Sequence, residues 1–367
     1  MKSKASIIRC DSYDPDRLFQ AVKQSLELLG GINSFVKKGQ SVLLKPNLLK
    51  EAKPDDAVTT HPEFIRAVIR LVKTQTENIF IGDSPGGTVK AQAVYEFCGI
   101  EKIAREEKVQ LIQFNNIVKK DNLPFAKIID EVDVLISLPK FKTHNLTMIT
   151  GAVKNIFGLI PGLYKVYVHK MAPNFISFAK EIARIYSLAR PDLSIVDAIV
   201  AMDGDGPSGG DPYDLGLVIA SADAVSIDAI LSKIIGLEPL SVPSTKAAAA
   251  MNLGQAQINN IDINGVSLED ILVRDFNLPN ISVLFKMPNF LARSLLRFIP
   301  LMMGIDRGKC TQCQICKNIC PQGAIRNVRG RLKIDFRKCI LCLCCSEMCP
   351  SNAIYLRFLT RRKKRGK

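Results

Sequence analysis

The chain has 367 residues, 47% hydrophobic and 23% charged, with a formal net charge of +15. That balance excludes a disordered chain and allows a large core with a small appended domain. No apolar run approaches the roughly 18 residues of a spanning helix, and the opening "MKSKASIIRCDSYD" lacks an apolar export segment, so a cytoplasmic setting is expected. From Leu301 onward, 16 Lys and Arg face 3 Asp and Glu, which leaves the first 300 residues near neutral.

In chain order, residues 4–10 read as a strand and 14–30 as a helix, with Asp14 as its cap and Pro15 in its first turn. "SVLLKPN" (41–47) is a short buried strand ended by Pro46, and "HPEFIRAVIRLVKTQ" (61–75) has apolar residues at helical spacing. "NIFIGDSPGG" (78–87) is a strand entering a glycine turn, and "VDVLISLPK" (132–140) is another strand. "TMITGAVKNIFG" (147–158) reads as a helix, and "DLSIVDAIVAMDGDGPSGGD" (192–211) as a strand ending in a glycine–aspartate loop. "LGLVIAS" (215–221) and "DAVSIDAILSKIIG" (223–236) add one more strand and helix.

Such alternation predicts an α/β domain over 1–280, with a largely parallel sheet covered by helices on both faces. An apolar, basic linker over 281–305 follows, interrupted by Pro288 and Pro300, with weak membrane-surface contact as its secondary reading. Residues 306–358 form a small α+β cysteine domain, and 359–367 a basic tail. No aromatic-interleaved basic patch supports specific nucleic-acid recognition.

Cys310, Cys313, Cys316 and Cys320 are spaced C-x2-C-x2-C-x3-C before Pro321, and Cys339, Cys342, Cys345 and Cys349 repeat the spacing before Pro350. This is the bacterial ferredoxin arrangement for two 4Fe–4S clusters, in which the last cysteine of each run crosses to the other cluster. One cluster is therefore expected on Cys310, Cys313, Cys316 and Cys349, and the other on Cys339, Cys342, Cys345 and Cys320. Cys344 is surplus, because only Cys345 leaves the x3 step to Cys349. Cys10 and Cys98 read as small core residues.

In open parallel sheets, ligands bind beyond the carboxyl ends of the strands. Lys45 and Asn47, then Asp83, Gly86 and Gly87, then Lys140, Lys142 and His144, and finally Asp203 and Asp205 all follow strand-like runs. Parallel strands would bring them to one rim. There Lys45, Lys140, Lys142 and Lys154 would attract a carboxylate or phosphate, and glycines would let backbone amides approach it. His144 would serve as proton donor. The aspartates would hold a hard cation or pin the lysines.

"LLKPNLL", "GDSPGG", "SLPKFKTHNLTMITGAVKNIFGLIPG" and "DLSIVDAIVAMDGDGPSGGDP" together resemble the iron–sulfur proteins built on domain of unknown function 362, over roughly residues 5 to 275. The trailing double cysteine motif is similar to the common architecture of that family. The resemblance implies shared use of the lysine–histidine segment and the glycine–aspartate loop; it does not name a reaction. The expected function is an iron–sulfur oxidoreductase passing electrons to an anionic small molecule or cofactor on the rim. Its basic module would meet an acidic redox partner such as a ferredoxin or flavodoxin. The alternatives are a non-enzymatic electron carrier or adaptor, and a redox sensor or cluster-delivery protein. A flavin or further metal between clusters and rim is left open.

Overall fold

Strand Ser3–Arg9 (β1) leads into helix Pro15–Glu27 (α1), whose start is fixed by Asp14 accepting the Arg17 amide at 3.0 Å. This computed structural model describes residues 2–87, 89–279, 282 and 301–358. Most of the expected linker and all of the expected basic tail lie outside the described residues.

Val42–Pro46 (β2), Ile79–Gly82 (β3) and Gln110–Ile112 (β4) are joined through helices Pro62–Val72 (α2), Ala91–Phe97 (α3) and Ile100–Glu106 (α4). A hairpin of Ile117–Lys120 (β5) and Leu123–Ala126 (β6) precedes Val134–Leu138 (β7), Lys140–His144 (β8) and Met148–Thr150 (β9). Helices Ala152–Asn155 (α5), Tyr164–Met171 (α6) and Phe175–Leu188 (α7) then lead to Leu193–Asp203 (β10) and Asp211–Ser221 (β11). Ala224–Ile234 (α8), Pro243–Ala250 (α9) and Ile261–Gly265 (β12) complete the body.

The main path of the sheet runs β12-β1-β11-β10-β7-β2-β3-β4. It is parallel from β10 to β4 and between β12 and β1, and antiparallel where β11 meets β1 and β10. The predicted α/β class holds, with a mixed, mostly parallel sheet. Side-chain alternation builds two cores: Leu43 joins the layer of α5, α7 and α8, while Val42 and Leu44 join that of α1, α2 and α4. Each fully buried apolar side chain contributes about 1.5–3 kcal/mol.

Chain order reverses between β2 and β7. After β2 the chain adds β3 and β4 on one side, then returns to place β7 on the other. The crevice beyond Pro46 and Leu138 is therefore the topological switch point, where open α/β sheets bind ligands.

The sequence-based helix over 147–158 is corrected. Met148–Thr150 is a strand antiparallel to β8, with Lys142 opposite Thr150, and the helix starts only after Gly151. The β-branched pair Ile149 and Thr150 suits the pleat better than a helix interior. Lys140, Lys142 and His144, expected beyond a strand end, lie within β8 and are buried.

In the C-terminal module, Leu301–Ile305 (β13) pairs antiparallel with Ile354–Phe358 (β16), so residues read as the end of a linker form an edge of this domain. Ile325–Val328 (β14) and Arg331–Ile334 (β15) form a hairpin, and short helices span Ile315–Ile319 and Cys344–Glu347. The repeat recurs in the backbone: Gln312 and Gln314 have φ of 60° and 62°, and Leu341 and Leu343, 29 positions on, have 55° and 63°. These left-handed residues are uncommon outside glycine and curl both cysteine loops alike.

Candidate active site between the sheet and the cysteine module

The loop after β2 is tied down by a buried ion pair. Lys45 Nζ lies 2.8 Å from Asp83 Oδ1, and the same carboxylate accepts the amides of Leu48 at 2.7 Å and Ser84 at 2.9 Å. Gly158 packs directly on the pair, where a Cβ would collide with both Asp83 Oδ1 and Lys45 Nζ. Burial lowers the Lys45 pKa and Asp83 opposes it.

Above this pair lies a cavity lined by Asn47, Asp83, Gly86 and Gly87 from the loops after β2 and β3. Lys142 and Thr150 from the β8–β9 hairpin, Lys154, and Lys165 and His169 from α6 complete its sheet-side wall. Its far wall belongs to the cysteine module: Ile319, Cys344, Glu347 and Met348. The space open to the centre of a water molecule is about 60 Å³. At about 10–15 Å³ per water, that is room for a few heavy atoms.

The electrostatics are lopsided. The ammonium groups of Lys45, Lys142, Lys154 and Lys165 face the carboxylates of Asp83 and Glu347. Lys142 donates to the Val58 carbonyl, and Lys165 to the carbonyls of Ser84 and Pro85. Among the described residues Lys154 has no hydrogen-bond or ion-pair partner; its ammonium sits 6.0 Å from the Phe157 ring centre. Burial, then Lys154, pushes Lys142 well below its ordinary pKa, and burial brings Lys165 to about 7. An anion among them would offset both penalties.

His144 is held in one tautomer. Its Nδ1 accepts from the amides of Leu146 at 3.0 Å and Thr147 at 3.3 Å, so the neutral ring carries its proton on Nε2, 3.2 Å from Glu347 Oε1. Burial, reinforced by Lys154, lowers its pKa to about 4. Glu347 is held below the usual carboxylate range: burial pushes it up, but the contact with His144 and the nearby positive groups outweigh this.

Several buried polar atoms converge here without a partner among the described residues: Asn47 Oδ1, Thr150 Oγ1 and His169 Nδ1. His144 Nε2 and Glu347 Oε1 also lack an aligned hydrogen bond, despite their 3.2 Å approach. Native interiors rarely leave such groups unpaired.

Not every expected residue reaches the cavity. Lys140 is captured by Asp197 at 3.0 Å and by the Tyr13 hydroxyl at 2.7 Å, and that hydroxyl donates to Asp197 Oδ1 at 2.8 Å. Asp203 accepts the backbone amide and side-chain nitrogen of Asn277 at 3.0 and 2.8 Å. None of Lys45, Lys140, His144, Asp203 and Asp205 lines the cavity; Lys45 and His144 reach it only through their contacts with Asp83 and Glu347. Sequence reasoning missed Glu347, Lys165, His169 and Asn155. Glu347 is hidden inside a cysteine motif, and the residues of α6 follow no strand, so position at a strand end does not flag them.

The cysteines fall into two neighbourhoods. Cys316 feels the charge of Cys349, Cys313 and Cys310, whereas Cys345 feels that of Cys342, Cys339 and Cys320 and, more weakly, of Cys316. Backbone amides donate to the sulfurs of Cys320 (from Ala324, 3.3 Å) and Cys349 (from Ala353, 3.2 Å). Such donors suit cluster-bound thiolates. Lys50 docks this module on the sheet domain, donating to the Cys349 carbonyl at 2.9 Å and to Asn352 Oδ1 at 3.0 Å.

Comparison with known proteins supplies the context. Residues 42–233 match the family described as domain of unknown function (DUF362), and residues 302–358 match a 4Fe-4S dicluster domain. The chain is 32% identical over 298 residues to the thylakoid-associated protein sll1697 of Synechocystis sp., covering 77% of this chain and 92% of that one. Among solved structures, the lactate racemase apoprotein from Thermoanaerobacterium thermosaccharolyticum aligns with 12% identity and a TM-score of 0.36, over 61% of this chain and 55% of that one. Among the described residues, no helix is long and apolar enough to cross a membrane.

Proposed function

We propose, since this chain belongs to the DUF362 family and ends in a 4Fe-4S dicluster domain, that it is an oxidoreductase that reduces a small anion held between its sheet and its cysteine module. Cys310, Cys313, Cys316 and Cys349 would hold one 4Fe–4S cluster, and Cys339, Cys342, Cys345 and Cys320 the other. The two neighbourhoods around Cys316 and Cys345 support this division. When bound, such clusters supply one-electron transfer.

The single observation that carries the reading is the composition of the cavity wall. Lysines of the sheet domain face residues that sit between or beside cluster cysteines, so an anion drawn in by Lys142 and Lys154 lies against Cys344, Glu347 and Met348. Lys165, with a pKa near 7 and two of its three donors committed to carbonyls, is better placed than His144 to give a proton at neutral pH. His144, neutral and fixed through Nδ1, instead sets its Nε2 3.2 Å from Glu347 Oε1. The lysine-rich sheet side of the cavity also favours an enzyme over a bare electron carrier.

The input side is the exposed face of the module. Cys313 is exposed there, and Arg307, Lys309, Lys317, Arg326, Arg331 and Lys333 are exposed on the same small domain. That charge suits an acidic carrier such as a ferredoxin or flavodoxin. A cytoplasmic location, or association with a membrane as in the thylakoid-associated relative, is compatible with such a carrier.

The test is reoxidation. Protein reduced with dithionite under anaerobic conditions is mixed with a panel of small oxyanions and carboxylates, and cluster absorbance is followed. An acceptor that reoxidises the wild type should fail with Lys142→Met and Lys165→Met. Equal rates in the variants would move the acceptor elsewhere.

A further inference from the structure

We propose that the cavity selects a small oxyanion carrying its own hydrogen-bond donor, an acid group with a hydroxyl; this rests on reading the cavity as the site of the reaction. The first half follows from charge and room. Lys154 has no hydrogen-bond or ion-pair partner among the described residues, Lys142 and Lys165 have donors to spare, and about 60 Å³ admits only a few heavy atoms.

The second half follows from the direction of an amide chain. The Lys45 carbonyl can only accept, and Asn155 Nδ2 donates to it at 3.4 Å and to Ser137 Oγ at 2.9 Å. Asn155 Oδ1 therefore faces Asn47, and Asn47 must present Nδ2 to it, at 3.0 Å. That fixes the Asn47 amide, and its Oδ1 is a buried acceptor with no donor among the described residues. His169 Nδ1 is a second buried atom in the same wall with no partner among the described residues, and it can accept or donate according to tautomer. Thr150 adds a hydroxyl that can turn either way.

A bare anion satisfies the ammonium groups and leaves Asn47 Oδ1 unpaired. An anion that also donates pairs both kinds of group. Buried acceptors of this kind reject analogues lacking the donor, by as much as about 10⁴-fold in well-built sites.

The experiment is isothermal titration calorimetry on the full, cluster-loaded chain at pH 7.5, with two matched pairs of probes. Hydrogen phosphate and sulfate share shape and charge but differ by one O–H; glycolate and acetate differ by one hydroxyl. The expected result is at least tenfold tighter binding of the donor-bearing member in each pair. Asn47→Leu should narrow that gap, with far-UV circular dichroism confirming the fold, and Lys154→Gln should weaken every anion that binds. Equal affinities within both pairs, or no binding by any of the four, would overturn the proposal. Clear discrimination without reoxidation by any anion would sink the electron-transfer reading and leave this one standing.

Discussion

Removing the Asp83 carboxylate should be among the most damaging single changes in the sheet domain. Asp83 and Lys45 are almost wholly buried 2.8 Å apart, and the carboxylate also accepts two backbone amides. Asp83→Ala would strand an ammonium with the Pro46 carbonyl as its remaining acceptor, at 3.0 Å, and orphan the amide of Leu48, while that of Ser84 keeps the Gly158 carbonyl at 3.2 Å. Breaking a buried pair from one side costs about 3–5 kcal/mol. Against a typical stability of about 5–15 kcal/mol, that is a large fraction. Lys45→Met should cost less, because the stranded carboxylate keeps its two amide donors. Guanidinium titrations followed by far-UV circular dichroism, with cluster absorbance recorded separately, measure both variants. Gly158→Ala provides an independent check, since its Cβ would push the pair apart. A loss below about 1 kcal/mol for Asp83→Ala would refute the claim that this pair holds the loops after β2 and β3.

Three further outcomes are expected. Cys344→Ala should keep its full iron content while Cys345→Ala loses about half, as iron and sulfide analysis would show; the reverse would shift the second cluster's register. Asp228 is fully buried, accepts the Ala152 amide at 2.6 Å, and has its pKa raised by burial to about 7. The folded state then holds this proton more tightly than the unfolded state, so this group's contribution to stability falls as pH rises from about 4 to 7. Asp228→Asn should flatten that part of the pH–stability curve relative to wild type, and a parallel curve would remove Asp228 as its source. Reduction by an acidic ferredoxin should slow as ionic strength rises, and a salt-independent rate would argue against docking on the basic module.

The alternation of strands and helices was legible because strand runs such as "VLL" and amphipathic runs such as Pro62–Val72 differ in period. Spacing is also the ground for expecting Cys345 rather than Cys344 as the ligand. The segment from Thr147 to Gly158 misled, because its pattern gave no hint that the edge of β8 would recruit Met148–Thr150 as a strand. Placing Lys45, Asn47 and Asp83 at one rim required only that strands be parallel. Excluding Lys140 required knowing that Asp197, mid-strand in β10, would sit opposite it. Glu347 and His169 were out of reach for a different reason: their position depends on how the cysteine module and α6 pack over the sheet, and contacts that distant in the chain leave no local pattern.

If the cavity between sheet and cysteine module holds the reacting anion, that anion should come away with the purified protein. The most direct test is a mass-spectrometric inventory of small molecules released from anaerobically purified protein, beside its iron count, for wild type and Lys142→Met. The expected result is about eight irons in both proteins, and a stoichiometric small oxyanion from the wild type that is lost in the variant. The same occupant retained in full by Lys142→Met, with iron unchanged, would contradict it.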